Sequence, residues 1–260
     1  MIRPQMMTGR QLTTALLMLI AIAVTGCAGN PKQSEQNQKL AETHYKLGLD
    51  ALSKEGMLPK AFEELMKSDA LRPNQPEVLD ALAYAWLLRG NFANAEAYYK
   101  RAMRHDAGSA TKNNYANLLN RSGRFKEAEV MARAALDDPR YPNQDFAFIN
   151  LGDALLGQKR IAEAVKAYNQ AQTFSPESLL PKIKTANAYA EDNRLNEARL
   201  LYQALYNNNK SNRSIVEGLL TILKKQGSKS QARQILEDFN QNAASVMDQA
   251  WALDEMERLY

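Results

Sequence analysis

The sequence predicts an all-α solenoid of six stacked helix pairs with one capping helix after the last. Three observations carry that expectation. Alanines stand at Ala61, Ala95, Ala128, Ala164, Ala198 and Ala232, at intervals of 34, 33, 36, 34 and 34. Apolar residues recur at a helical period almost throughout, and no segment alternates as a half-buried strand would. A spacing fixed near 34 residues marks a chain built from small units, each of which buries its apolar face only against its neighbours.

The fourth unit shows the pattern most fully. Leu151-Gly152 and Leu155 belong to its first helix, Ala164, Tyr168 and Ala171 to its second, and Pro176 ends it. Gly152 and Ala164 are small where the antiparallel helices cross, and Leu151, Leu155 and Tyr168 fill the seam between them. Pro176 lacks the N–H that would continue the helix. The first unit carries Leu47-Gly48, Ala51, Ala61, Leu65 and Pro73, with an extra residue in the turn over 54–59. The second carries Leu82-Ala83, Trp86, Gly90, Ala95, Tyr99 and Ala102, with Ala107 in the place of the proline. In the fifth and sixth, Thr185-Ala186 and Leu219-Leu220 replace the Leu-Gly pair. Residues 243–260 read as a final amphipathic helix, with Val246, Ala250, Leu253, Met256 and Tyr260 near one face. Residues of these types at this period are the signature of the tetratricopeptide repeat, which implies a right-handed superhelix.

The N-terminal segment is of another kind. Arg3 and Arg10 precede an apolar run from Leu12 to Val24, short for a membrane span but of signal-peptide length. The run ends in Val24-Thr25-Gly26-Cys27, which resembles the lipobox of bacterial lipoproteins. Cys27 is the only cysteine in 260 residues, so it has no intramolecular disulfide partner. The expected organisation is a signal peptide over 1–26, a lipidated Cys27, a flexible tether over 27–39 and the solenoid over 40–260. The tether expectation rests on the near-absence of apolar side chains in residues 29–39. Several acyl chains, at about 0.8 kcal/mol per buried methylene, make a stable anchor. Ala28 rather than aspartate after the cysteine implies, by the sorting rule of enteric lipoproteins, the outer membrane with the solenoid facing the periplasm.

Composition bounds the function. With Arg3 and Arg10 removed, 31 basic residues face 29 acidic ones. No basic stripe or stacking aromatic set suits a nucleic acid. His44 and His105 lie in different units with no acidic or cysteine partner at ligand spacing, and no phosphate loop, HExxH or nucleophile elbow occurs. Glu63-Glu64 reads as a solvated helix face, and Asp137-Asp138-Pro139 as a turn. No catalytic residue, metal, cofactor or small-molecule substrate is expected.

The chain is expected to bind a protein. In a stack of helix pairs the first helices line a concave groove, and fixed repeat positions point into it. The third unit offers Asn113, Asn117, Asn120 and Arg121, the fourth Phe146, Ile149, Asp153 and Leu156, and the fifth Ile183 and Asn187. Asparagine is a poor helix former, so three of them on one face need a reason. Amides there could grip the backbone of an extended peptide, while Phe146, Ile149 and Leu156 hold apolar side chains.

Residues 113–176 are more specific than a generic repeat. NNYANLLNRSGRFKEAE (113–129) is followed by a long junction, DPRYPNQDFAFINLG (138–152). Asn113, Asn114, Tyr115, Arg124, Glu127, Ala128, Tyr141, Pro142, Asn150, Leu151 and Gly152 resemble, in this order, the PilF/PilW lipoproteins of type IV pilus biogenesis. The resemblance implies an outer-membrane pilotin whose partner is the pilus secretin subunit, which it helps to localise and assemble into a ring. Ala116 departs from the family's usual glycine, and the C-terminal units match only loosely. Two other readings of the same architecture are an adaptor of another envelope pathway and an accessory subunit of a cell-envelope enzyme.

Overall fold

The computed structural model describes residues 31–259, and the lipobox cysteine and the signal segment lie outside them. Thirteen α-helices and no strands occur among the described residues. Six antiparallel pairs follow one another: α1 (Pro31–Leu52) with α2 (Leu58–Leu71), α3 (Pro76–Leu88) with α4 (Phe92–Met103), α5 (Ser109–Arg121) with α6 (Phe125–Leu136), α7 (Gln144–Gly157) with α8 (Ile161–Phe174), α9 (Leu180–Glu191) with α10 (Leu195–Asn208), and α11 (Arg213–Lys225) with α12 (Lys229–Asn242). A single helix, α13 (Val246–Glu257), closes the stack.

The evenly spaced alanines are the pivots of this stack. All six are fully buried, each near the start of a pair's second helix, where a larger side chain would push the helices apart. The glycines act the same way from the first helix. A methyl group on Gly152 would sit 2.3 Å from the Tyr168 ring, and one on Gly218 2.2 Å from the Tyr202 ring. Bulk on one helix is thus met by a missing side chain on its neighbour, and Tyr99, Tyr168 and Tyr202 are among the largest fully buried side chains.

The turn inside a pair repeats too. Gly90, Gly123 and Gly227 adopt left-handed backbone angles, and Lys159 and Asn193 take the same conformation at the equivalent place. Each lets the next N–H reach back across the helix end, as Asn91 does to the Trp86 carbonyl and Arg160 to that of Leu155. Ion pairs staple successive pairs together: Arg101 to Asp69, Arg124 to Glu96 and Arg160 to Glu129, at 2.6–2.8 Å. The 36-residue interval is a longer junction before α7, pinned by Tyr141 against Ala135 and Ala147.

Three expectations need correction. The helix begins at Pro31 and not at Leu40, so residues 31–39 of the expected tether form the first turns of α1. Glutamine, lysine and glutamate favour helix there, Gln33 bonds Asn37, and Lys39 pairs with Glu35. The capping helix is rotated relative to its expected face. Its buried side carries Trp251, Ala252, Met256 and Leu259, with Trp251 edge-on to Phe239 at 5.5 Å, whereas Val246 and Leu253 are 80% and 52% exposed. Ser245 caps the helix through the Asp248 N–H, and burying the indole outweighs burying Val246. Glu64 is buried and not solvated: its carboxylate meets His44 Nδ1 at 2.5 Å and Lys60 and Lys67 at 2.7 and 3.2 Å. No helix among the described residues is long and apolar enough to cross a membrane.

Candidate functional site

Stacking the first helices side by side leaves a concave cleft of about 520 Å³ over α3, α5, α7 and the start of α9. Of the residues expected to form the groove, Asn113, Asn117, Phe146, Ile149 and Asp153 line it. Asn120, Arg121, Leu156, Ile183 and Asn187 do not. The Arg121 guanidinium stacks 5.3 Å from the Phe92 ring, Leu156 packs against the α7–α8 core, and Ile183 packs into the C-terminal core. Asn187 accepts the Tyr202 hydroxyl at 2.5 Å. Cys27 lies outside the described residues.

The asparagines have a structural reason. Buried Asn150, on α7, donates from its amide to the Asn113 side-chain oxygen at 2.8 Å and to the Asn113 carbonyl at 3.2 Å. The Asn120 amide donates to the Asn150 carbonyl at 2.8 Å, and the Asn117 amide approaches the Asn150 side-chain oxygen at 3.4 Å. The set bridges α5 and α7, so Asn113 is committed to the scaffold and Asn117 only half-open to the cleft. The exposed apolar surface of the cleft is Phe146, Tyr84 and Leu180, with Leu87 and Ile149 buried beneath it.

Sequence reasoning missed Tyr84, which lines the cleft one repeat interval, 33 residues, before Asn117. Asp80, one interval before Asn113, lies beside the cleft against Asn114 and is not among its lining residues. The Asp80 carboxylate accepts the Asn114 amide at 3.0 and 3.2 Å and is half-buried. On the next first helices Asp153 pairs with Lys184 at 2.8 Å and accepts the Tyr168 hydroxyl. Tyr99 lines the cleft as well, with its hydroxyl buried and without a hydrogen-bond partner.

Burial pushes the Asp80 carboxyl up to about 6, against hydrogen bonds from Asn114 and Thr111 that favour the anion. A group whose pKa is raised on folding costs nothing while protonated in both states; its cost grows as pH rises from the unfolded value to the folded one and is constant above. Replacing Asp80 with asparagine should therefore raise stability relative to the parent by about 1–3 kcal/mol between pH 4 and pH 7, with no further change above. Urea unfolding of both proteins across that range checks this; a difference independent of pH would refute the buried charge.

No group of acidic, histidine and cysteine side chains fit to hold a metal ion occurs among the described residues. The arrangement suits the capture of an extended chain by an apolar surface flanked by polar groups.

Comparison with known proteins places this geometry. A tetratricopeptide-repeat family model matches residues 114–178. The type IV pilus assembly protein PilF of Pseudomonas aeruginosa is 29% identical over 163 residues, which cover 60% of this chain and 64% of that protein. In fold, the solved structure of Pseudomonas aeruginosa PilF matches with a TM-score of 0.66 at 20% identity, over 84% of this chain and 99% of that one. The structure of PilW, a type IV pilus biogenesis factor, matches with a TM-score of 0.72 at 16% identity, over 81% and 97%. The chain folds as a tetratricopeptide solenoid, similar in sequence to PilF and in fold to PilF and PilW.

Proposed function

We propose that this PilF/PilW-like solenoid is a scaffold of type IV pilus assembly, anchored through lipid on Cys27 to the outer membrane and facing the periplasm. Its concave groove receives an extended segment of the pilus secretin subunit and holds the subunit at the membrane where the ring assembles. The sequence match to a type IV pilus assembly protein carries this reading. The open apolar cleft around Phe146 supports it, because it offers a chain both side-chain pockets and amide partners. Only three residues separate Cys27 from the first turn of α1. Confining two partners to one surface raises their effective concentration without adding any contact.

The test is to delete the gene, fractionate the envelope and assay the secretin for its heat- and detergent-resistant multimer. Loss of the multimer with monomer still present is expected, and a normal multimer would overturn the reading. Restoring the gene as Phe146→Asp should fail to rescue the multimer while the protein itself still accumulates, since Phe146 is exposed and burying an aspartate against an apolar partner costs several-fold to hundreds-fold in affinity, on the order of 1–3 kcal/mol. Restoring it as Cys27→Ser should leave the solenoid folded but released from the outer membrane fraction; continued membrane association would remove the lipid anchor from this account.

A further inference from the structure

The seams of this solenoid repeat their chemistry, and the first one departs from it. The residue after the repeat alanine is Glu96 in the second pair and Glu129 in the third. Each meets the arginine four residues before the next repeat alanine, Arg124 at 2.6 Å and Arg160 at 2.7 Å. At the same two positions of the first seam stand Phe62 and Asn91. The Phe62 ring packs instead on Trp86 of α3, centroid to centroid at 4.7 Å, and the Arg89 guanidinium lies 5.9 and 5.4 Å from the two rings.

A pocket of about 450 Å³ opens there, lined by Leu58, Pro59, Phe62, Met66, Trp86 and Arg89, and it shares no residue with the cleft around Phe146. Met66 is 46% exposed, and Met57, beside Leu58, 41%. Two donors of the lining are unused. The Trp86 indole N–H is buried without a hydrogen-bond partner, and no carboxylate among the described residues lies within ion-pair distance of the exposed Arg89. Other arginines also lack a carboxylate, but the surroundings of Arg89 set it apart. Three other clefts that hold a cation hold an acid as well: Arg72 with Glu42 and Glu77, Lys184 with Asp153, and Arg199 and Lys210 with Asp238. Here the cation borders an apolar pocket with no acid in its lining. An anion brought against it would sit among rings and thioethers that displace water, where opposite charges attract more strongly.

We propose that this pocket docks the C-terminal end of a partner protein whose last residue is apolar. The side chain of that residue fills the space over Leu58, Phe62 and Met66, and its α-carboxylate takes the Arg89 guanidinium and the Trp86 N–H. A terminal residue carries its side chain and its carboxylate on one Cα, so both enter a single pocket. Within an extended chain, adjacent side chains point to opposite faces, and an apolar residue next to an aspartate or glutamate does not place both there. The site is a second contact, independent of the groove proposed above for the secretin.

The test uses the purified full chain and three fluorescein-labelled peptides. They are Gly-Ser-Gly-Ser-Leu-Phe with a free carboxylate, the same peptide as its C-terminal amide, and the amide of Gly-Ser-Phe-Glu-Gly-Ser, which carries its acid on a side chain. Fluorescence anisotropy should show the free acid binding roughly tenfold tighter than either amide, with the advantage shrinking as salt rises. Arg89→Gln should erase the advantage and leave binding of the Leu-Phe amide nearly unchanged. Met66→Ser should weaken the Leu-Phe acid and amide together, and Phe146→Asp, in the separate cleft, should change neither. Equal binding of the free acid and its amide would overturn the proposal, as would an advantage that survives Arg89→Gln. A glutamate peptide that binds as tightly as the free acid would overturn the choice of a chain end. Binding lost in Phe146→Asp but kept in Met66→Ser would overturn the choice of pocket. Binding of no peptide overturns it too, and the secretin multimer assay decides the pilus reading independently.

Discussion

Tyr168→Ala should lower stability by about 3–5 kcal/mol and unfold the middle of the solenoid at temperatures where its ends persist. The ring is fully buried between α7 and α8, and its hydroxyl donates to Asp153 at 2.7 Å. Truncation leaves a cavity that the backbone cannot close, because Gly152 opposite supplies no side chain to fill it. It also frees one of the two bonds that hold Asp153 beside Lys184. Gly152→Ala attacks the same contact from the other side, with a methyl group 2.3 Å from the ring. Each substitution alone should destabilise, and the double variant should be less unstable than their sum, since the methyl then occupies part of the vacated space. Urea denaturation of the four proteins measures that coupling. Strict additivity would show that the ring and the glycine are not one packing unit.

The second large effect is expected at the end of the stack. Phe239→Ala should also remove about 3–5 kcal/mol of local packing, yet with a different signature. Phe239 is fully buried and bears the edge of Trp251, through which α13 docks on α12. In a chain where each pair touches only its neighbours, a defect at the end loosens the end. Hydrogen exchange should accelerate in α12 and α13 and stay slow in α5 through α8. Uniform acceleration along the chain would mean that the solenoid unfolds as one unit, and the repeat-by-repeat picture would fail.

How much of this was legible in the sequence depends on which force fixes each part. The six helix pairs were, because an alanine at each crossing is a steric requirement that leaves a mark at a fixed interval. Gly90 was part of the second unit's pattern, and Gly123 and Gly227 turn the chain in the same way at the equivalent places, whereas Lys159 and Asn193 adopt the left-handed conformation without its usual residue. The first turns of α1 were hidden because they bury almost nothing and stand on local side-chain pairs. The face of α13 was misjudged because a count of apolar positions weighs Val246 and Trp251 alike, while burial favours the larger ring. In the groove, Phe146, Ile149 and Asp153 followed from the repeat register, and the same register would have yielded Tyr84. Asn120 and Arg121 sit at the last turn of α5, beyond the cleft, and spacing alone could not show that the asparagines bond to Asn150.

That asparagine has a mechanical consequence. Seams joined by surface ion pairs can shear by a fraction of an ångström at little cost, since an exposed pair is worth about 0–1 kcal/mol. The seam between α5 and α7 cannot, because any slide breaks amide bonds inside a buried site and leaves their donors unsatisfied. The solenoid is therefore stiffest at this seam, and the pitch of the groove beside Phe146 changes least when the stack flexes.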